Sequence, residues 1–163
     1  METRGRERLS RSSFPLLKLS ANALPRSYVT RTFTVDVPLR WSDQDPNGHV
    51  NNARIVTLLE ESRVYWRMAA IAEGGLDPTL SALILASLTV NYRRPVLLGP
   101  AVTIEVGILS IGVRSLSLRH SGYQSGEVAF DASSVVVFSG PGGPRPIDPA
   151  ERKWLESWLA EGE

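Results

Sequence analysis

The hydrophobic period of this chain changes from two to about 3.6 once and then returns to two, and this limits the fold more than any other feature. Between residues 30 and 41, Phe33, Val35, Val37 and Leu39 alternate with Thr32, Thr34 and Asp36, the pattern of a half-buried strand. Residues 42–49, SDQDPNGH, are dense in turn formers and cannot continue it. From about Asn51 the apolar positions recur at three and four residues, through Ile55, Leu58, Leu59, Ser62, Tyr65, Trp66 and Ala69, which predicts a helix that Gly74 and Gly75 end. Beyond Asp77-Pro78 the period of two returns in four segments: Ala82 to Tyr92, Val102 to Leu109, the stretch around Leu116 and Leu118, and Val128 to Phe138. Connections this tight favour antiparallel neighbours. One strand, one long helix and four further strands give an α+β architecture. The helix covers one face of a five-stranded antiparallel sheet, and the other face is left to loops or a second subunit.

The chain's 163 residues suit one folded domain, expected over residues 29–140. Residues 141–163 read as a Gly-Pro linker and a closing helix, with Asp148 as N-cap, Pro149 at the first helical position and Glu151 completing a capping box. Its stripe of Trp154, Leu155, Trp158 and Leu159 must dock on the body or on a partner. Residues 1–28 hold six of the 18 basic residues and two of the 17 acidic ones, a net of +4 against −3 for the rest. They read as a disordered or loosely attached extension, or as residues preceding a true start near Val29. A slightly acidic body with scattered arginines argues against nucleic acid. No apolar run approaches the roughly 20 residues of a membrane span, and no export signal stands out, so a cytoplasmic location is expected. The absence of cysteine removes disulfides and a Cys nucleophile, and two histidines leave little with which to build a zinc site, so neither metal nor cofactor is expected.

The stretch LRWSDQDPNGHVNNARIVTLLEESRVYW resembles the active-site strand, loop and helix of hotdog-fold thioesterases, in the branch of 4-hydroxybenzoyl-CoA thioesterase and bacterial acyl-CoA thioesterases. Its D-x-D-x-x-G-H-V-N-N loop is also similar to acyl-carrier-protein thioesterases. Further on, VNYRRPVLLGPAVTIEVGILSIGVRSLSLRHS is similar to the family's second and third strands, apart from Gly99-Pro100 where the family often has Gly-Asp. The resemblance implies a hotdog fold, a homodimer or homotetramer, an acyl-CoA substrate and a catalytic carboxylate at Asp45.

Elementary chemistry agrees with that position for Asp45. A thioester carbonyl needs a nucleophile or a base for water on one side and donors for the developing oxyanion on the other. Asp45 precedes a helix whose first amides, around Val50, Asn51 and Asn52, are expected to be unpaired and to carry the positive end of the dipole. The structural alternative is that Asp45 only shapes its turn. Gly48 is expected to supply a positive φ or a close approach, and His49 to orient the loop or contact the acyl carbonyl, unless it merely bonds nearby backbone. Asn51 or Asn52 would cap the helix, and Asp43 would order the turn.

Glu61, near the edge of the helix stripe, is the candidate second carboxylate. Arg93, Arg94, Arg114 and Arg119 are candidates for the coenzyme A phosphates. Leu58, Leu83, Leu85, Trp66 and Tyr92 would line an acyl tunnel or simply form core. The expected function is hydrolysis of an acyl-CoA. The rivals are a carrier-protein thioesterase and a non-catalytic acyl-CoA-binding hotdog protein, against which the complete loop and the lack of an effector domain argue; a dehydratase lacks its His-Asp pairing.

Overall fold

The computed structural model describes residues 31–79 and 82–159; the extension expected over residues 1–28 lies outside them. The elements follow the expected order, with strand β1 Thr32–Pro38, helix α1 Asn52–Ala72, strands β2 Ala82–Tyr92, β3 Ala101–Ile111, β4 Ser115–Gln124 and β5 Glu127–Gly140, and helix α2 Pro149–Glu156. A two-residue strand β6, Gly143–Pro144, pairs with the end of β5 inside the stretch expected as linker, so the sheet has six strands rather than five. The order across the sheet is β1-β3-β4-β5-β2 and every pairing is antiparallel.

The polar ends of both helices explain where they start. Asn51 Oδ1 accepts the Ala53 N–H at 2.8 Å to cap α1, and Asp148 with Glu151 forms the expected capping box of α2. Caps of this kind contribute about 1 kcal/mol each. Gly74 closes α1 at φ +74°, a conformation that L side chains rarely adopt. The buried face of α1 comprises Ile55, Leu58, Leu59, Ser62, Trp66 and Ala70. Tyr65 and Ala69 were expected there, but the 3.6-residue period carries the stripe past them, leaving Tyr65 exposed and Ala69 half-buried.

Helix α1 rests chiefly over β1 and β3, whose inward residues Val37, Ile104, Val106 and Ile108 are fully buried against it. The far edge of the sheet is less covered. On β2 the inward Leu83, Leu88 and Val90 are only half-buried and Leu85 is exposed, and the outer ladder of β2 has no partner strand among the described residues. A trough therefore opens between α1 and β2, lined by exposed Val64 from the helix and by Leu83 and Leu85 from the strand. A bulge at Leu85/Ser87 interrupts the β2 ladder along it.

Helix α2 docks on the body, as its apolar stripe requires. Trp66, Trp154 and Trp158 form a triad with ring centroids 5.2 to 6.4 Å apart, and the Arg31 guanidinium lies 4.2 Å over Trp158. Gly75 abuts the Trp154 ring so closely that no Cβ fits there. Among the described residues no helix is long and apolar enough to cross a membrane.

Candidate active site

Residues 43–52 fold back on themselves where β1 ends and α1 begins. A 3-10 turn, Trp41–Asp43, places Asp43 in a buried position, where its carboxylate accepts the Arg40 N–H at 2.7 Å and lies 3.8 Å from Arg54. Asp43 thus orders the turn, as its position implied. Two further bonds close the loop, from the Asp45 N–H to the His49 carbonyl at 2.8 Å and from the Gly48 N–H to the Asp45 carbonyl at 3.0 Å. Gly48 sits at φ +78°, a backbone that costs an L residue roughly 1–2 kcal/mol.

Those contacts place Asp45 on an open cleft of about 380 Å³, which it shares with His49, Asn52, Tyr92, Arg93 and Arg94. The cleft lies at the helix start, at the end of the trough where β2 finishes. The Asp45 carboxylate accepts the Asn47 N–H at 2.8 Å and its side-chain amide at 3.4 Å. The turn-shaping role is therefore present together with the cleft-facing one. The backbone hydrogen bond from Asn47 holds its pKa below the ordinary 3.8, so the group is ionised at neutral pH.

The amides require a correction. Val50 donates to the Val96 carbonyl at 2.7 Å and Asn51 donates to the Asp43 carbonyl at 2.8 Å, so neither is free to hold an oxyanion. Ala53 is taken by the Asn51 cap, while Arg54 and Ile55 both bond to the Asn51 carbonyl. Asn52 is left as the first-turn N–H with no partner among the described residues, and it lines the cleft. The expectation of three unpaired amides failed because Val50 pairs with the remote Val96 and Asn51 with Asp43, where the loop turns back on itself.

The other expected residues divide by position. Arg93 and Arg94 line the cleft, the first anchored to Asp131 at 2.5 Å and the second paired with Glu127. Arg114 lies in the turn between β3 and β4, and the cleft is at the opposite end of β3, a full strand of roughly 30 Å away. Arg119 belongs to the outward set of β4, alternating with buried Leu118 and His120, and does not line the cleft. Both are dropped as phosphate contacts at this site. Glu61 is held 3.5 Å from Arg40 and is also not among the cleft-lining residues.

Of the residues expected in a tunnel or core, Leu58 and Trp66 are buried, while Tyr92 lines the cleft and donates its hydroxyl to the Asn52 carbonyl at 3.2 Å. Among the described residues no three His, Cys, Asp or Glu side chains are grouped to hold a metal ion.

Comparison with known proteins places this geometry among relatives. The model of the thioesterase-like superfamily matches residues 39–155. A thioesterase from Thermus thermophilus, solved with coenzyme A and zinc, is 30% identical, with a TM-score of 0.67 over 80% of this chain and 96% of that one. A predicted thioesterase from Bacillus stearothermophilus is 25% identical at a TM-score of 0.70, covering 82% and 100% of the two chains. A gentisyl-coenzyme A thioesterase is 17% identical at 0.64, covering 77% and 99%, and at that identity shares the fold alone. No curated protein sequence matches.

Proposed function

From the premise that this chain belongs to the thioesterase-like superfamily and hydrolyses thioesters, we propose that its substrate is an acyl-CoA and that Asp45 is the group that attacks it or activates water. The observation that carries the reading is that an ionised carboxylate and the one first-turn amide without a partner among the described residues line the same cleft. A thioester carbonyl laid between them would meet Asp45 at carbon and the Asn52 N–H at oxygen. The helix dipole would add to that donor as charge develops.

The thiolate is a good leaving group and needs no strong acid, which suits a cleft with one histidine. In the nucleophilic course Asp45 forms a mixed anhydride with the acyl group, and water then cleaves it; in the other, Asp45 takes a proton from the attacking water. Arg93 and Arg94, which line the cleft, would meet the phosphates of coenzyme A once their own carboxylate partners exchange for them. The unpaired outer ladder of β2, with exposed Ile84 and Leu85, is the edge along which a second copy would add, giving a homodimer or a homotetramer built from dimers.

Release of free thiol from a panel of acyl-CoAs and acyl-carrier-protein thioesters tests this, with Asp45→Asn beside the parent chain. The expected loss is at least about 10²-fold in kcat. Turnover of carrier-protein substrates alone would transfer the reading to that rival. Tight acyl-CoA binding without turnover would make the protein a binding module. Single turnover in heavy-oxygen water separates the two courses, since only the anhydride route can label Asp45.

A further inference from the structure

Beneath the middle of α1 a second cavity of about 130 Å³ opens onto the trough, lined by Glu60, Arg63, Leu83, Leu85, Leu118 and Val136. Arg63 is the unusual member. Its Nη1 is buried and has no hydrogen-bond partner among the described residues, although five aliphatic side chains and a second cation, Arg67, also line the cavity. Beside it, on the same sheet face as Leu118, stands the fully buried His120, whose Nε2 is 2.9 Å from Ser134 Oγ and whose Nδ1 likewise has no partner there. Whichever ring nitrogen of His120 carries the proton, the Arg63 Nη1 is a buried donor with no acceptor among the described residues. Glu60, one turn earlier on the helix, is exposed and leaves that Nη1 unbonded.

Position supplies the rest. Arg63 is eleven residues along α1 from Asn52, roughly 16 Å at 1.5 Å per residue, and a helical side chain leans back toward the N-terminus. Between the two points, β2 presents the half-buried Leu88 and Val90 on its inward side. An acyl chain whose carbonyl is held at Asn52 would run down that trough and end near Arg63.

On the acyl-CoA reading above, we propose that Arg63 reads the far end of the acyl chain and selects a medium-length chain carrying an oxygen acceptor there, a carboxylate above all. The substrate class is then the mono-CoA thioester of a dicarboxylic acid, with ω-hydroxyacyl chains as a weaker second. His120 acts as a positioning residue, since its uncharged ring limits repulsion of the guanidinium.

The test compares kcat/KM for decanoyl-CoA and for its ω-carboxy counterpart, in the parent chain, Arg63→Met and Arg63→Lys. The expected result is a preference for the ω-carboxy substrate of at least about tenfold, the worth of a hydrogen bond to a charged group. It should disappear or invert in Arg63→Met and be partly restored in Arg63→Lys. Equal preference in all three proteins overturns the proposal. So does an Arg63→Met protein whose oligomeric state changes while the ratio does not, because Arg63 would then serve a second copy. If neither these nor any other acyl-CoA of the panel turns over, the acyl-CoA reading fails separately, and the thermal shift given by free sebacate decides the site: stabilisation of the parent and not of Arg63→Met supports it, and none in either overturns it.

Discussion

Moving from about pH 7.5 to about pH 4.5 is expected to cost the native fold about 3 kcal/mol at a single residue, His120. The ring is fully buried, and burial first, then the nearby Arg63 charge, brings its pKa down from 6.5 to about 3. A base depressed in this way binds its proton more readily in the unfolded chain. Its contribution is therefore complete above about 6.5 and declines as pH falls toward 3, by about 1.4 kcal/mol per pH unit. Over the two units below 6.5 the loss approaches about 3 kcal/mol. Urea unfolding at both pH values, in the parent chain and in His120→Gln, isolates it, because every other titrating group is common to the two proteins. The variant should be less stable at neutral pH but lose about 3 kcal/mol less on acidification. Parallel losses in the two proteins would show that His120 is not held neutral, and the same result would remove the uncharged neighbour on which the Arg63 proposal draws.

Because the Asn47 N–H depresses Asp45 below 3.8, its carboxylate persists as pH falls, and the acid limb of kcat/KM should lie below the ordinary carboxylate range. Asn47→Pro, which lacks that N–H, should move the limb upward in a rapid pH-jump assay. Asn51→Ala removes the α1 cap and should lower stability by about 1 kcal/mol in urea, together with kcat, since the same turn aims the Asn52 amide. Trp158→Ala empties a nearly sealed site in the tryptophan triad and should cost about 3–5 kcal/mol by thermal or chemical denaturation.

Local pattern made much of this molecule legible. The helix of 52–72 and the boundaries of β2 lie within a residue or two of where periodicity and turn residues put them, because both signals are written in neighbouring side chains. The loop that presents Asp45 was legible for the same reason. The amide partners of Val50 and Asn51 were not, since one comes from the remote Val96 and the other from Asp43 through the loop's turn back on itself. Arg114 was misplaced because composition says nothing about which end of a strand meets the cleft. His120 did carry a usable signal: it has the same parity as Leu116 and Leu118, which makes it a core residue, and a core histidine calls for an account of both ring nitrogens.

Gln124 lies outside the cleft-lining set, yet its side-chain amide grips Leu97 at both backbone atoms, accepting the N–H at 2.9 Å and donating to the carbonyl at 2.8 Å. Leu97 bridges His49, and Val96 takes the Val50 N–H. The turn that aims Asp45 is thus tethered through three successive contacts to the end of β4. Changes in turnover among variants can therefore originate at Gln124, a side chain outside the cleft itself.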